Sequence, residues 1–335
     1  MALLLTEHDV RRLLPMGDLI DAMDEALAAF SSGDIRQPVR SIVDLDSHGF
    51  FGVMPAAYAF DAPRGVMGAE AAGSKIVTVV PRNHERGLPS HFATIVMLDP
   101  QTGALDAILD GRYITEARTA AVSAVSARRL ARHDARTVAI IGSGVQARSH
   151  AEALAHVVSN ASFRIWSPRE ASRETAAREI GESIASLGAT IATAATAHEA
   201  VAGADIIVLV TASTEPVIED AWVRPGTHVI AVGACRPNHR EMPPALVSGA
   251  TLVVDSRAAA EQEAGDILLA RADGFDVAIA AELGEVCAGR APGRQQVDDV
   301  TIFKSLGLAI EDVVAGRLTV EHARRQGVGV GITLN

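Results

Sequence analysis

An α/β fold, with a doubly wound parallel sheet inserted into an α+β domain, is predicted by three features of the sequence. Six short apolar runs between Thr137 and Val254 alternate with helical patterns, the arrangement that builds a parallel sheet with crossover helices. The first of these runs, Thr137–Ile141, ends in Gly142-Ser143-Gly144 and opens directly into a helical pattern. Before residue 110 the strand-like runs instead follow one another too closely for crossovers, which predicts a mostly antiparallel sheet. At 335 residues the chain is also long for one core, so two domains are expected.

Taken in order, residues 7–30 read as two helices. Leu13, Met16, Leu19, Ile20, Met23, Leu27 and Phe30 recur at helical spacing, and Pro15 divides them. Strand-like runs follow at Val39–Leu45, Phe50–Met54, Ala69–Val80, Phe92–Leu98 and Ala104–Leu109, with turns at Pro81–Pro89 and Asp99–Gly103. Unpaired edges of such a sheet would be protected by a second copy, so a homodimer is expected. Thr115 is a candidate cap for a helix running to about Ala131. The parallel strands are then Thr137–Ile141, Phe163–Trp166, Thr190–Thr193, Asp205–Val210, His228–Val232 and Thr251–Val254. Helices are expected at 145–158, 169–187, 197–202 and 242–248, with a short one near 219–223. A last helix is expected from about Ser305 to Ala315, and only its return would give the first domain a second layer.

Composition excludes several function classes. A net charge of -11 argues against nucleic acid, whose phosphates need clustered Lys and Arg. Cys235 and Cys287 are too few for a disulfide framework or a thiolate metal site, which suits a reducing, cytoplasmic setting. The apolar Leu3-Leu4-Leu5 lacks the flanks of a signal peptide, and no run is long enough to span a bilayer. The histidines show no metal-ligand spacing, so no metal is expected, and neither a Gly-x-Ser-x-Gly elbow nor a Walker loop is present.

The segment Gly142-Ser143-Gly144-Val145-Gln146-Ala147 is where chemistry first becomes legible. One glycine permits the tight turn, the next admits a close pyrophosphate, and the following helix offers unpaired N–H groups and its positive dipole end. Placed after the first parallel strand, the turn predicts a Rossmann-type dinucleotide site at Gly142, Ser143, Gly144, Val145 and Gln146. An acid at the tip of the second strand would bind the ribose hydroxyls of NAD. Here the tip reads Trp166-Ser167-Pro168-Arg169. Ser167 and Arg169 either meet a 2′-phosphate, favouring NADP(H) over NAD(H), or form a helix cap with a solvated arginine. Thr211, Ala212 and Ser213, ending the fourth strand, either contact the cofactor or make an ordinary turn.

Several further motifs occur in a fixed order. They are Lys75-Ile-Val-Thr-Val-Val-Pro81, Gly87-Leu-Pro-Ser-His91, Asp99-Pro-Gln-Thr-Gly103, Asp110-Gly-Arg-Tyr-Ile-Thr-Glu-Ala-Arg-Thr-Ala-Ala121, Gly265-Asp266, Glu282-Leu-Gly-Glu285, Gly289-Arg-Ala-Pro-Gly293 and Thr301-Ile-Phe-Lys-Ser-Leu-Gly307. Together they resemble the ornithine cyclodeaminase/μ-crystallin family over nearly the whole chain. The resemblance implies homodimers in which residues 1–115 and 306–335 form a substrate-binding and dimerisation domain, with a nicotinamide-binding domain, 116–305, inserted. It implies that Arg118 clamps a substrate carboxylate, a task for which a guanidinium fork suits. Arg40 and Lys75 are its companions, and Lys75 is a candidate proton donor if a dry site lowers its pKa. His91 is either a hydrogen-bond or proton donor near the substrate, or structural. On the same resemblance Thr115, Gly233 and Lys304 are assigned to the cofactor, and Cys235 and Ser305 to the substrate.

Position 235 discriminates within the family. The cyclodeaminases that this chain resembles carry Asp there, whereas here it is Cys235, in Gly233-Ala-Cys-Arg-Pro237. A thiol is a poor base for an amine near neutral pH, so the sequence points to the imine-reducing branch. The expected activity is NAD(P)H-dependent reduction of a small 2-imino acid, such as Δ1-pyrroline-2-carboxylate, Δ1-piperideine-2-carboxylate or iminosuccinate. Ornithine cyclodeamination, reversible alanine dehydrogenation, and cofactor or ligand binding with little catalysis are the alternatives.

Overall fold

The chain begins in a strand, β1 (Ala2–Leu5), where the sequence suggests only a short apolar end. A computed structural model describes residues 1–46, 49–58 and 70–333, which fall into two compact units: Met1–Arg118 with Gly307–Asn335, and Thr119–Leu306. Thr6 and Asp9 cap one another's backbone to start α1 (Glu7–Leu13), and Pro15 starts α2 (Met16–Ser32), which ends at left-handed Gly33. Strands β2 (Ile35–Arg36), β3 (Ser41–Asp44), β4 (Phe50–Tyr58), β5 (Ala72–Val79), β6 (His91–Leu98) and β7 (Leu105–Asp110) follow. Ala69, the first residue of one predicted strand, lies outside the described residues.

Helix α3 (Arg112–Leu130) starts earlier than expected. The Asp110 carboxylate accepts from the Arg112 and Tyr113 amides at 3.1 and 3.4 Å, so Asp110 makes the cap. Thr115 is already inside the helix, its hydroxyl donating to Gly111 O at 2.8 Å. The second unit then alternates β8 (Thr137–Ile141), α4 (Val145–Val157), β9 (Ser162–Trp166), α5 (Glu170–Ile184), β10 (Thr190–Thr193), α6 (Ala197–Val201), β11 (Ile206–Leu209) and β12 (His228–Ala231). It continues through α7 (Pro244–Gly249), β13 (Thr251–Val254), α8 (Arg257–Glu263), α9 (Gly265–Ala272), β14 (Ile279–Glu282), α10 (Leu283–Cys287) and β15 (Thr301–Lys304). The chain returns to the first unit as α11 (Ala309–Gln326) and β16 (Val330–Ile332).

In the first unit the strand order is β16-β1-β7-β6-β5-β4-β2, with β3 also on β4. Neighbours from β2 to β7 pair antiparallel, while β1 joins β7 in parallel. Alternation sends Met54, Lys75, Val77, Ile95, Met97 and Leu109 to one face, and α11 packs there against β4, β5, β6 and α2. Ile42, Val43, Ile76, Phe92 and Leu98 remain exposed.

The second sheet is wholly parallel, in the order β10-β9-β8-β11-β12-β15-β13-β14. Two of its strands, β14 and β15, were not expected, and β15 lies between β12 and β13. Chain direction across the sheet reverses between β8 and β11, which makes the crevice above their C-terminal ends the natural ligand position.

Candidate active site

The first unit carries a buried cluster of four charges. Lys75 projects from the α11 side of β5, and Arg118 comes from α3; both are almost fully buried, at 2% and 4% exposure. Glu311 and Asp312, wholly buried, project from the first turn of α11. Lys75 Nζ lies 2.7 Å from Asp312 Oδ2, Arg118 Nε donates to Asp312 Oδ1 at 3.0 Å, and Arg118 Nη1 donates to Glu311. The start of α11 is itself held from a distance, by Gln37 Oε1 accepting from the Ile310 amide at 2.9 Å. Two cations thus balance two anions in a dry setting, where an unpaired charge would be costly.

This arrangement sets the protonation states. Burial lowers the Lys75 pKa to about 8, with Asp312 opposing and Arg118 adding to the shift. Burial acts against an ionised Asp312, but Arg118 and Lys75 outweigh it and hold the carboxyl below its usual range. Burial likewise works against the Arg118 cation, yet Asp312 and Glu311 raise its pKa further. His91, at the start of β6 on the same face as Lys75, is brought down to about 4 by burial and then by the Lys75 charge. It is therefore a neutral imidazole at pH 7.

The Arg118 fork, assigned from sequence to an incoming carboxylate, is already engaged within the unit through Nε and Nη1. Glu311 and Asp312, which do that, were not singled out in the sequence; their position two turns or less beyond Phe303-Lys-Ser-Leu-Gly307 was the available signal. Arg40 sits half-buried in the loop leading into β3.

The second unit carries the glycine turn. Gly142 has φ +125°, and a Cβ there would stand 2.5 Å from Val210 O, so only glycine fits. A Cβ on Gly144, by contrast, would meet nothing within 4 Å. Gly144 is the N-cap of α4 and supplies no side-chain cap, and the Ala147 amide donates to Gly144 O at 3.2 Å. Arg148, overlooked in the sequence, braces the turn by donating to Ser143 O and Gly144 O at 2.9 and 3.0 Å and to Glu179 at 2.6 Å. Val145 is exposed and Gln146 half-buried at the start of the same helix.

At the tip of β9, Ser167 is buried and its hydroxyl donates to Arg169 O at 3.3 Å. It is not the α5 cap; that position is Arg169, whose side chain is exposed. Arg173 donates to Ser167 O at 3.2 Å from one turn further on. Beyond β11, Thr211 offers both its amide and its hydroxyl to Glu241 at 2.7 Å, and Ser213 closes a small turn by donating to Glu215 O at 2.6 Å. Ala212 between them is exposed.

Three expected contact residues are directed inward. Lys304, at the end of β15, is wholly buried with Nζ 3.0 Å from Asp266 Oδ2, so its charge is compensated inside the unit. Ser305 is buried with its hydroxyl 3.5 Å from Asp255 Oδ2. Cys235 directs its thiol at Val232 O, 3.1 Å away.

Residues 1–327 match the ornithine cyclodeaminase/mu-crystallin family. The chain belongs to that family. Among its members, ketimine reductase mu-crystallin of Mus musculus is 41% identical over 308 residues, covering 90% of this chain and 91% of the relative. The structure of Thermococcus litoralis Δ1-pyrroline-2-carboxylate reductase, in complex with NADH and L-proline, superposes with a TM-score of 0.92 at 35% identity, covering 98% of this chain and all of that one (100%). An archaeal alanine dehydrogenase dimer with bound NAD gives a TM-score of 0.88 at 30% identity over 100% and 99% of the two chains. Both structures cover nearly the whole of this chain, so its fold recurs in them.

Proposed function

We propose that this protein is an NAD(P)H-dependent oxidoreductase acting on C=N, reducing a small 2-imino acid to the amino acid. The observation that carries the reading is the balanced cluster of Lys75, Arg118, Glu311 and Asp312, with a neutral imidazole beside it. A protonated imino acid is itself zwitterionic, so it joins this cluster without leaving a net buried charge. Its carboxylate is held by Arg118 through the remaining Nη2 amine and by Lys75; Arg40 is a further companion. Lys75, with a pKa of about 8, keeps the imine nitrogen protonated and resupplies that proton. His91, with a pKa of about 4, donates a hydrogen bond rather than a proton at neutral pH.

The dinucleotide fits the second unit. Its pyrophosphate would lie against Ser143, Gly144, Val145 and Gln146, where the backbone leaves room at the uncapped N-terminus of α4. When bound, a reduced nicotinamide would supply the hydride chemistry. With the exposed Arg169 and the nearby Arg173 at the tip of β9, and no acid there, NADP(H) is favoured over NAD(H). Orientation and exclusion of water are the chain's own contributions.

Cys235 supports the reductase reading over ornithine cyclodeamination, since its thiol is turned to Val232 O and offers no carboxylate to an amine. The exposed apolar residues on the first sheet, Ile42, Val43, Ile76, Phe92 and Leu98, support assembly of Met1–Arg118 and Gly307–Asn335 into a homodimer. No helix among the described residues is long and apolar enough to cross a membrane. The low cysteine content suits the cytoplasm, where we place the protein.

The test is oxidation of NADH and NADPH by the purified protein with a panel of cyclic and acyclic 2-imino acids. Turnover with at least one is expected. Formation of proline and ammonia from ornithine without net NADH would sink the reading, and so would tight cofactor binding with no turnover across the panel. Arg118→Lys is the appropriate variant: it keeps a cation beside Glu311 and Asp312 while removing the planar donor set. It should lower kcat/KM about a hundredfold yet leave cofactor affinity unchanged.

A further inference from the structure

Glu241 is wholly buried, and its carboxylate is saturated by donors from two separate loops. Oε1 accepts from the Thr211 amide and hydroxyl, both at 2.7 Å, in the loop after β11. Oε2 accepts from the Gly233 and Ala234 amides at 2.7 and 3.2 Å, in the loop after β12. The backbone of Glu241 adds a third tie, its carbonyl accepting from Val217 N at 2.9 Å.

Glu241 is in turn fixed from beneath. Asp266 Oδ1 accepts from the amides of Glu241 and Met242 at 2.8 and 3.0 Å, and Asp266 Oδ2 pairs with Lys304 at the end of β15. A Cβ on Gly233 would run into the Glu241 carboxylate and Thr211 O, so the backbone there sits directly on this network. β11, β12 and β15 are consecutive in the parallel sheet, and Thr211, Gly233 and Lys304 lie at their C-terminal ends. That end of such a sheet is where ligands bind.

We propose that Glu241 is a positioning residue for the dinucleotide: it ties the loops Thr211–Ser213 and Gly233–Cys235 into one rigid rim. The assignment rests on the reading of this unit as a nicotinamide site. Its physical basis is that four hydrogen bonds to one buried carboxylate, three of them at 2.7 Å, fix two loops whose backbones would otherwise move independently. The ionised carboxylate alone accepts all four donors. A glutamine retains the volume but presents an NH2 to one of the two loops, setting donor against donor.

The experiment compares the wild type with Glu241→Gln by fluorescence titration of NADH and NADPH, steady-state kinetics, and amide hydrogen exchange without cofactor. In the wild type, the Thr211, Gly233 and Ala234 amides are expected to exchange slowly and at a common rate, because one opening event frees all three. In Glu241→Gln, at least one loop should exchange faster, cofactor Kd should rise about tenfold, and KM for the imino acid should change far less than KM for the cofactor. Unchanged cofactor Kd in a folded variant would overturn the proposal, as would independent, loop-like exchange of the three amides in the wild type. The wild-type exchange measurement decides the matter even if the variant does not fold. Failure of the wild type to bind either cofactor would instead remove the dinucleotide reading on which the proposal rests.

Discussion

Gly307 owes its identity to Arg118. The glycine has φ +85°, and a Cβ on it would stand 2.5 Å from Arg118 Nη1 and 2.9 Å from Nη2. The last residue of the Phe303-Lys-Ser-Leu-Gly307 signature is thus shaped by a side chain that begins far earlier in the chain. Gly307→Ala must either strain the backbone or push the guanidinium off Asp312 and Glu311. It should cost about 1–3 kcal/mol of stability and raise KM for the imino acid at least tenfold, while cofactor Kd stays constant. Chemical denaturation and kinetics on the purified variant check this; wild-type kinetics would separate Arg118 from the substrate.

Lys75 gives a pH signature. With a pKa of about 8 it is an ammonium below that value and a free amine above it. If the ammonium is the working form, kcat/KM is level below pH 8 and falls tenfold per unit above it. In Lys75→Arg the charge persists at all accessible pH values, so the descent should vanish even if the plateau is lower. A profile of kcat/KM against pH for both proteins decides it, and an unchanged alkaline limb in the variant would assign that limb to another group.

Two buried histidines of the second unit make it acid-sensitive. His150 bonds Ser123 and Gln146 O, His228 bonds Ser126 and Thr301, and burial lowers their pKa values to about 4 and about 3. The unfolded chain takes up protons near pH 6.5 while the folded chain does not. Stability is therefore complete above pH 6.5 and is lost as pH falls toward 4, by at most about 1.4 kcal/mol per pH unit for each histidine. Urea unfolding between pH 7 and 5 should show this slope, and His228→Gln should flatten it by up to half.

Cofactor preference is tested at the tip of β9. Arg169→Ala should raise KM for NADPH about tenfold and leave KM for NADH nearly unaltered, because only NADPH carries the 2′-phosphate. Equal effects on both cofactors would remove Arg169 from that role and leave the choice to other residues.

What the sequence disclosed follows from the range of the interactions involved. The β8–Gly142–α4 unit was legible because strand, turn and helix are contiguous, each with its own periodicity. Strand β15 was not, for its run ends in a lysine that the fold buries against Asp266, a partner with no fixed spacing from it. The same holds for β1, whose strand character depends on pairing with β7 and β16. The final helix was expected to end at Ala315 but continues to Gln326, capped by left-handed Gly327. In the charge cluster, Arg118 and Lys75 were identified from local motifs, but Asp312 lies 194 residues from Arg118 and no local pattern announces that pairing. Thr115 suits a cap by residue type, whereas Asp110 is closer to the turn and takes the role.

That separation has a consequence for how the protein is made. Translation delivers Lys75 and Arg118 first, then the whole of Thr119–Leu306, and only afterwards the helix bearing Glu311 and Asp312. At ribosomal speeds the two cations wait roughly 10–40 s for their counter-charges. The inserted unit thus has time to mature on the ribosome, while the first unit must stay open until α11 arrives. Chaperone demand should accordingly fall on the earliest-synthesised part of the chain.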